Sequence, residues 1–131
     1  MASQLKVDTI TGVTTAGSIS VTGEGNSTTT NLQQSLVKVW AKFNGSSFGE
    51  LDSFNVSSFT DSGTGNYTVN INNDFSNANH ASIEGSGAYH TVNDAGNFAI
   101  RTTASYQTQC WATNGAADAL RNDSTIFGDL A

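Results

Sequence analysis

The sequence predicts an all-β protein in which an antiparallel β-sandwich or jelly-roll-like head follows an extended N-terminal β arm. Apolar residues recur at alternate positions over short runs, which is the period of a half-buried strand. Only 12% of the residues are charged, and the polarity comes from Ser, Thr and Asn, with 13 Gly and no Pro. Thr and aromatic residues favour strands, whereas Asn and Gly favour turns. No long segment has a helical period, so a parallel α/β sheet is not expected.

Length, charge and cysteine content narrow the function classes. A chain of 131 residues is long enough for one domain with a buried core. Its net charge is −6 and its five basic residues are spread out, so neither nucleic acid nor an anionic membrane surface is an expected partner. The only cysteine, Cys110, excludes a disulfide within the chain. Without a signal peptide or an apolar span, we expect folding in a reducing cytoplasm and no membrane insertion.

Residues 1–33 are predicted to form an extended arm, distinct from a head at 34–131. The short alternating segments LKVDTI and GSISVTG are broken up by glycines and lead into a polar link, GEGNSTTTN. An ordered arm of this kind needs partners to complete its strand pairing, and a disordered tail is the alternative. The apolar residues expected to anchor the arm or to join copies are Leu5, Val7, Ile10, Val13, Ile19 and Val21.

The first strand of the head is predicted over residues 36–43. Period two in LVKVWAKFNG separates a core face from a polar face. The core face is predicted to carry Val37, Val39, Ala41 and Phe43. On the other face Trp40 lies between Lys38 and Lys42, which makes it a candidate subunit-interface residue. Two other interpretations stay open for Trp40: a platform covered by the lysine stems, or a stacking surface for a sugar ring.

A β-hairpin is predicted around the turn DSGTGN. FGELDSFNV should run back after a turn near residue 45, and a parity change within residues 53–60 indicates a bulge at Ser57 or Ser58. In the turn itself, glycines at 63 and 65 tolerate positive φ and Asp61 can bond the backbone. YTVNI is the returning, half-buried strand.

The rest of the chain is predicted to form further strands. ASIEGSGAYHTV is one strand weakened by glycines, and GNFAIRTTASYQTQCWAT contains two alternating runs, the first with Phe98, Ile100 and Thr102 on one face. NNDFSNANH and NGAADALRND are loops, the second with one helical turn at 117–120. STIFGDLA is the last strand.

No catalytic, cofactor-binding or metal-binding motif is recognisable. His80 and His90 lack the spacing of metal ligands, and a strand histidine is usually a surface or hydrogen-bonded residue. Cys110 is expected to be a buried apolar residue. NNDFSNANH departs from a calcium loop at Asn77 and Ile83. We therefore expect that the protein is not an enzyme and uses no cofactor.

The segments of the chain, in their order, resemble small β-rich virion proteins of marine tailed phages, including cyanophages. The resemblance covers nearly the whole chain. In that group the middle block recurs as DSFNVSS, a turn of the form T/S-D-x-G-T-G, and YTV. The matching segments are LKVDTI, GSISVTG, NLQQSLVKVWAKFNG, DSFNVSSFTDSGTGNYTVNI, NDFSNANHA and IFGDLA.

The group resembles tail-fibre and other phage structural proteins, which are commonly trimeric. The resemblance implies a homotrimeric fibre- or spike-like appendage of the virion, made in the host cytoplasm. The arm would bind other virion proteins of the tail or capsid, and the head would contact the host surface, including its glycans. Many tail fibres are much longer than this chain, which leaves three places in the particle open: tail appendage, capsid fibre and capsid decoration. The alternative functions are a capsid decoration protein that cements the shell and a carbohydrate-binding module.

Overall fold

The computed structural model describes residues 4–12, 19–23, 28–87, 90–92 and 100–131. The chain divides into two compact units, Met1–Leu36 and Val37–Ala131. The division falls after Leu36, whereas the sequence analysis placed it after residue 33. Among the described residues 54% lie in strands and 4% in helix, and the sheets are antiparallel, so the structure confirms the predicted all-β fold.

The N-terminal unit contains a short hairpin followed by one turn of helix. Its elements are strand β1 at Ser20–Thr22, strand β2 at Thr29–Asn31 and helix α1 at Leu32–Ser35. The two strands pair antiparallel, with Val21 opposite Thr30. Asn31 caps the helix, because its side chain accepts a hydrogen bond from the Gln34 backbone nitrogen at 3.1 Å. The sequence predicted neither the hairpin nor the helix, since the polar run 23–31 was interpreted as a link.

The head consists of strands joined by turns and loops. The strands are β3 Val37–Asn44, β4 Gly49–Phe54, β5 Val56–Asp61, β6 Asn66–Ile71, β7 Ala81–Ser86, β8 His90–Val92, β9 Ser105–Ala112, β10 Gly115–Ala116 and β11 Asn122–Phe127. Strand β6 shows how alternation specifies a face. Tyr67, Val69 and Ile71 are buried, whereas the Thr68 and Asn70 side chains between them are partly exposed.

Two antiparallel sheets pack face to face in the head. The four-stranded sheet has the order β4-β3-β11-β7, and the other sheet has the order β10-β9-β6-β5, with β8 also paired to β9. The core takes side chains from both sheets. Phe43 of the four-stranded sheet packs against Phe59 and Tyr67 of the other, with ring centroids 5.2 and 5.0 Å apart. This is the arrangement of a β-sandwich.

The predicted hairpin around residues 61–66 is confirmed. Gly63 and Gly65 have φ values of +117° and +69°, and Asp61 Oδ1 accepts a hydrogen bond from the Gly63 nitrogen at 2.9 Å. The register between β5 and β6 shifts between Val56 and Ser58, so the predicted bulge is present as well. Local turn chemistry therefore determined this element, as the sequence indicated.

The prediction that Val37 faces the core is wrong. Ile126 lies opposite Val39, but the next residue, Phe127, lies opposite Val37, so β3 has one extra residue in this pairing. A bulge of this kind changes the parity of the strand. Val37 consequently turns outward and is 38% exposed, whereas Lys38, predicted to share the outer face with Trp40, is 7% exposed.

Residues 53–60, predicted as one bulged strand, are divided between two sheets at Asn55. Asn55 has φ of +59°, which asparagine tolerates better than most residues. Its side chain donates hydrogen bonds to the carbonyl oxygens of Lys38 and Asn73, at 3.1 and 3.2 Å, and accepts one from the Asn73 nitrogen at 2.8 Å. These bonds hold the corner where the chain passes from β4 to β5.

Three further predictions need correction or lie outside the described chain. The run ASIEGSGAYHTV is two strands, β7 and β8, which belong to different sheets. Residues 117–120 form no helical turn but an irregular segment, in which the Ala119 carbonyl accepts a hydrogen bond from the Gly45 nitrogen at 2.9 Å. Phe98 lies outside the described residues. Ile100, predicted beside it on a strand face, precedes β9 and is 53% exposed.

Gly65→Ala should destabilise the head strongly. Its φ is positive, and a Cβ there would come closer to the Cys110 carbonyl oxygen than real Cβ atoms do and would lie 2.8 Å from the Ala117 nitrogen. Backbone atoms cannot move aside cheaply, so we expect a loss of roughly 3 kcal/mol in the free energy of unfolding. Gly63→Ala is the matched control, because its φ is also positive but a Cβ would meet nothing within 4 Å, and its cost should be roughly 1 kcal/mol. Equal losses in urea unfolding would contradict the steric explanation.

Candidate functional site

The register of the four-stranded sheet arranges its outward side chains in rows across the strands. Residues directly opposite each other in antiparallel strands lie on the same face. The row through Trp40 contains Phe54 on β4, Trp40 on β3, Thr125 on β11 and Ile83 on β7. These four residues are called the tryptophan row below.

The tryptophan row is mostly apolar and open at both ends. Phe54 is 54% exposed and Ile83 is 67% exposed, with Trp40 partly buried between them. A second apolar row lies beside it, where Phe127 stands between Val37 and Ala81. Single apolar side chains on a surface are ordinary, whereas contiguous apolar rows are typical of a contact surface.

A charged row borders the tryptophan row on its other side. Lys42 on β3 lies between Asp52 on β4 and Asp123 on β11. On β7 the row ends at Gly85, which has no side chain. The outer face of the four-stranded sheet therefore changes from apolar to charged along the strand direction.

The arm residues predicted to anchor the protein are largely exposed where the structure describes them. The exposed fractions are 81% for Leu5, 52% for Val7, 56% for Ile10 and 52% for Val21. Ile19 is partly buried, and Val13 lies outside the described residues. Trp40 belongs to the other compact unit.

Sequence reasoning missed a polar strip on the inner face of β7. This strip consists of Ser82, Glu84 and Ser86, which alternate with outward residues. Ser86 Oγ lies 3.3 Å from Cys110 Sγ on β9, and Ser82 Oγ accepts a hydrogen bond from Arg101 Nη2 at 2.9 Å. Cys110 itself is fully buried, as predicted. The signal for the strip was present in ASIEGSG, because the residues of one parity are all polar in a strand that is flanked by core strands.

Glu84 occupies the middle of the strip, opposite the buried Ser124 on β11. Burial raises the pKa of the Glu84 carboxyl to about 7, and the Arg101 guanidinium and a hydrogen bond from Ser82 oppose this rise. The Ser124 hydroxyl is hydrogen-bonded to the Tyr106 hydroxyl, with an oxygen–oxygen distance of 2.6 Å. The strip therefore contains a partly buried carboxyl whose pKa is raised by its surroundings.

His80 lies just before the strip, and its environment differs from that predicted. The side chain is 4% exposed and its ring stacks on Phe75, with centroids 4.6 Å apart. Its backbone carbonyl accepts a hydrogen bond from Arg101 Nη1 at 3.0 Å, but its ring nitrogens make no close hydrogen bond to the described residues. Burial, followed by the Arg101 charge, lowers the pKa of His80, and a weaker polar contact with the Asn77 backbone opposes this. The surroundings of His80 therefore favour the neutral imidazole, which packs on the Phe75 ring.

Comparison of the chain with protein-family models, with curated proteins and with solved structures finds no match. Within the described residues, no three His, Cys, Asp or Glu side chains are grouped so that they could hold a metal ion. No helix in that part of the chain is long and apolar enough to cross a membrane. The exposed arm residues and the rows on the outer sheet face are the candidate contact surfaces of the described chain.

Glu84→Gln should remove a pH dependence of stability. A carboxyl whose pKa is raised on folding stabilises the fold fully below its ordinary pKa of 4.5, and this contribution is lost as the pH rises through about 7. Relative to the unsubstituted protein, the variant should therefore gain roughly 2 kcal/mol in the free energy of unfolding between about pH 4 and about pH 8. Urea unfolding at several pH values measures this gain. Glu50→Gln, at an exposed position of β4, controls for the chemical change, and a pH-independent effect of Glu84→Gln would contradict the assignment.

Proposed function

We propose that the protein is a structural component of a phage virion, namely a homotrimeric fibre- or spike-like appendage. Its N-terminal arm anchors it to other virion proteins of the tail or capsid. Its β-sandwich head faces outward, where its polar loops contact the host surface. The resemblance of its segments to virion proteins of marine tailed phages supports the proposal, and so do two features of the structure.

The observation that carries the proposal is the exposure of the apolar arm residues. Leu5, Val7, Ile10 and Val21 are each more than half exposed. Within the described residues the arm hairpin has two strands, and nearly all of their residues are exposed. A two-stranded hairpin is marginally stable in water on its own. A segment of this composition gains stability when it contacts a docking protein or other copies of itself.

The outer face of the four-stranded sheet supports self-association of the head. Phe54 and Ile83 are open to solvent at the two ends of the tryptophan row, and Trp40 lies between them. Aromatic residues at the centre of an apolar patch contribute most of the free energy at many subunit interfaces. An assembly that buries this face would leave the loops and the other sheet available to the host.

The position of the protein in an averaged image of the particle tests the assignment. A projecting density with threefold symmetry is expected. Density lying flat between capsid subunits would instead identify a decoration protein and would overturn the appendage proposal. Absence of the protein from purified particles would overturn the virion assignment altogether.

Deletion of residues 1–30 should leave the head folded and abolish its attachment to the particle. The hydrophobic core residues that the structure describes belong to the head, so we expect the head to fold without the arm. Circular dichroism of the truncated protein and its co-sedimentation with particles are the two measurements, with the full-length chain as control. An unfolded truncation would show that the division into arm and head is wrong, and retained attachment would show that the arm is not the anchor.

Trp40→Ala and Val39→Asp should separate the interface from the core. The full-length chain is expected to form a trimer with three times the 13.7 kDa mass of one chain. Trp40→Ala should weaken assembly by roughly 2 kcal/mol or more. Val39 is 0% exposed, so Val39→Asp should instead unfold the head by burying an unpaired charge. Solution mass and thermal unfolding are measured for each. Self-assembly is contradicted by a clean monomer, and the interface role of Trp40 by equal losses of melting temperature with unchanged mass.

A further inference from the structure

The order of the rows on the outer face of the four-stranded sheet allows copies to match when they are related by rotation about an axis parallel to the strands. Along the strand direction it presents the second apolar row, then the tryptophan row, then the charged row. A rotation axis parallel to the strands keeps each row at its own height. Apolar rows of neighbouring copies would then meet apolar rows, and charged rows would meet charged rows.

An axis perpendicular to the strands gives a poorer match. A twofold axis along the tryptophan row would pair that row with itself but would invert the order of the rows. The charged row, which includes Lys42 and Asp123, would then pack on the second apolar row around Phe127 of the other copy. Burying charges against apolar side chains is costly, so this arrangement is disfavoured.

The charges also distinguish the two halves of the sheet. Its centre line runs between β3 and β11, since the strand order is β4-β3-β11-β7. Consider a rotation axis that runs parallel to the strands, on the solvent side of this centre line. Rotation about it brings the β4–β3 half of one copy against the β11–β7 half of the next copy. Lys42 on β3 would then approach Asp123 of the next copy, and Phe54 on β4 would approach that copy's Ile83. Opposite charges and apolar ends both find matching partners.

We propose that the copies of this chain pack through the outer faces of their four-stranded sheets, around an axis parallel to the strands, with Phe54 of each copy against Ile83 of the next. The proposal rests on the self-association in the proposed function and adds the surface, the axis direction and the residue contacts. Each contact joins two different halves of the face, and pure rotation about a single axis closes such contacts into a ring. The trimer of the proposed function is a ring of three.

Paired cysteines test the contact directly in the full-length chain. In one molecule Phe54 and Ile83 lie at opposite edges of a four-stranded sheet, which is about 14 Å across three strand spacings. Two cysteines this far apart cannot form a disulfide within one chain. The native thiol of Cys110 is fully buried. A chain carrying both Phe54→Cys and Ile83→Cys should therefore form disulfides only between copies when it is oxidised with oxidised glutathione.

The expected result is a covalent oligomer on a non-reducing gel from the double variant, and none from either single variant. An equimolar mixture of the two single variants should give covalently linked pairs. Cross-linking of Phe54→Cys with itself would identify the inverted arrangement and overturn the proposal. Absence of cross-links in a protein whose mass in solution is a trimer would overturn this surface while leaving the proposed function intact. A monomeric mass would overturn self-association and this contact together.

Charge reversal provides a second measurement if the cysteine variants fold poorly. Lys42→Asp and Asp123→Lys should each reduce assembly at least tenfold, because each places like charges opposite one another between copies. Residues 42 and 123 also lie opposite each other within one chain, so each variant has like charges there as well. Mixing the two variants does not relieve this repulsion within a chain. In a ring of three that contains both variants, two of the three contacts bring opposite charges together, so partial recovery of oligomer on mixing would report contact between chains. Failure to recover, with both variants folded by circular dichroism, would overturn the proposed pairing.

Discussion

The Tyr67 side chain connects both sheets and two loops at one buried point. Its ring packs edge-on against Phe43 of the opposite sheet, and its hydroxyl donates a hydrogen bond to Asp118 Oδ1 at 2.7 Å. The same carboxylate oxygen accepts a hydrogen bond from the Gly65 nitrogen, also at 2.7 Å. A Cβ at Gly45 would overlap the Tyr67 hydroxyl, so the turn after β3 requires glycine there. The Tyr67 side chain thus contacts the opposite sheet through its ring and holds the segment before β11 through its hydroxyl.

Local patterns predicted the elements that depend on local chemistry. Alternation identified β3 and β6, and the Asp and Gly residues of the turn between β5 and β6 identified that hairpin. The outward parity of Val37 could not be predicted, because the bulge that produces it is defined by pairing with β11 at the far end of the chain. The break at Asn55 could not be predicted either. This one residue with positive φ transfers the chain from one sheet to the other, while the alternation of apolar residues on either side of it continues.

The candidate contact surface was predictable only where it depends on local patterns rather than on strand pairing. Strand parity placed Trp40 on the outer face, and composition identified the apolar residues of the arm. The neighbours of Trp40 across the sheet, Phe54 and Ile83, depend on which strands pair and in which register, and a single sequence does not specify that pairing. The inward-facing, partly buried position of Glu84 follows from pairing as well, because this side chain faces inward only once β7 is placed beside β11.

The pairing of the first and last strands of the head has a mechanical consequence. Strand β3 is hydrogen-bonded on both sides, to β4 and to β11, and Val37 at its start lies opposite Phe127 at the end of β11. A pull on residue 37 directed along β3 would load both ladders in shear, so that many hydrogen bonds must break together rather than one after another. Because resistance to force is governed by the rate of unfolding rather than by equilibrium stability, a head of modest stability could still bear tension transmitted through its N-terminal connection.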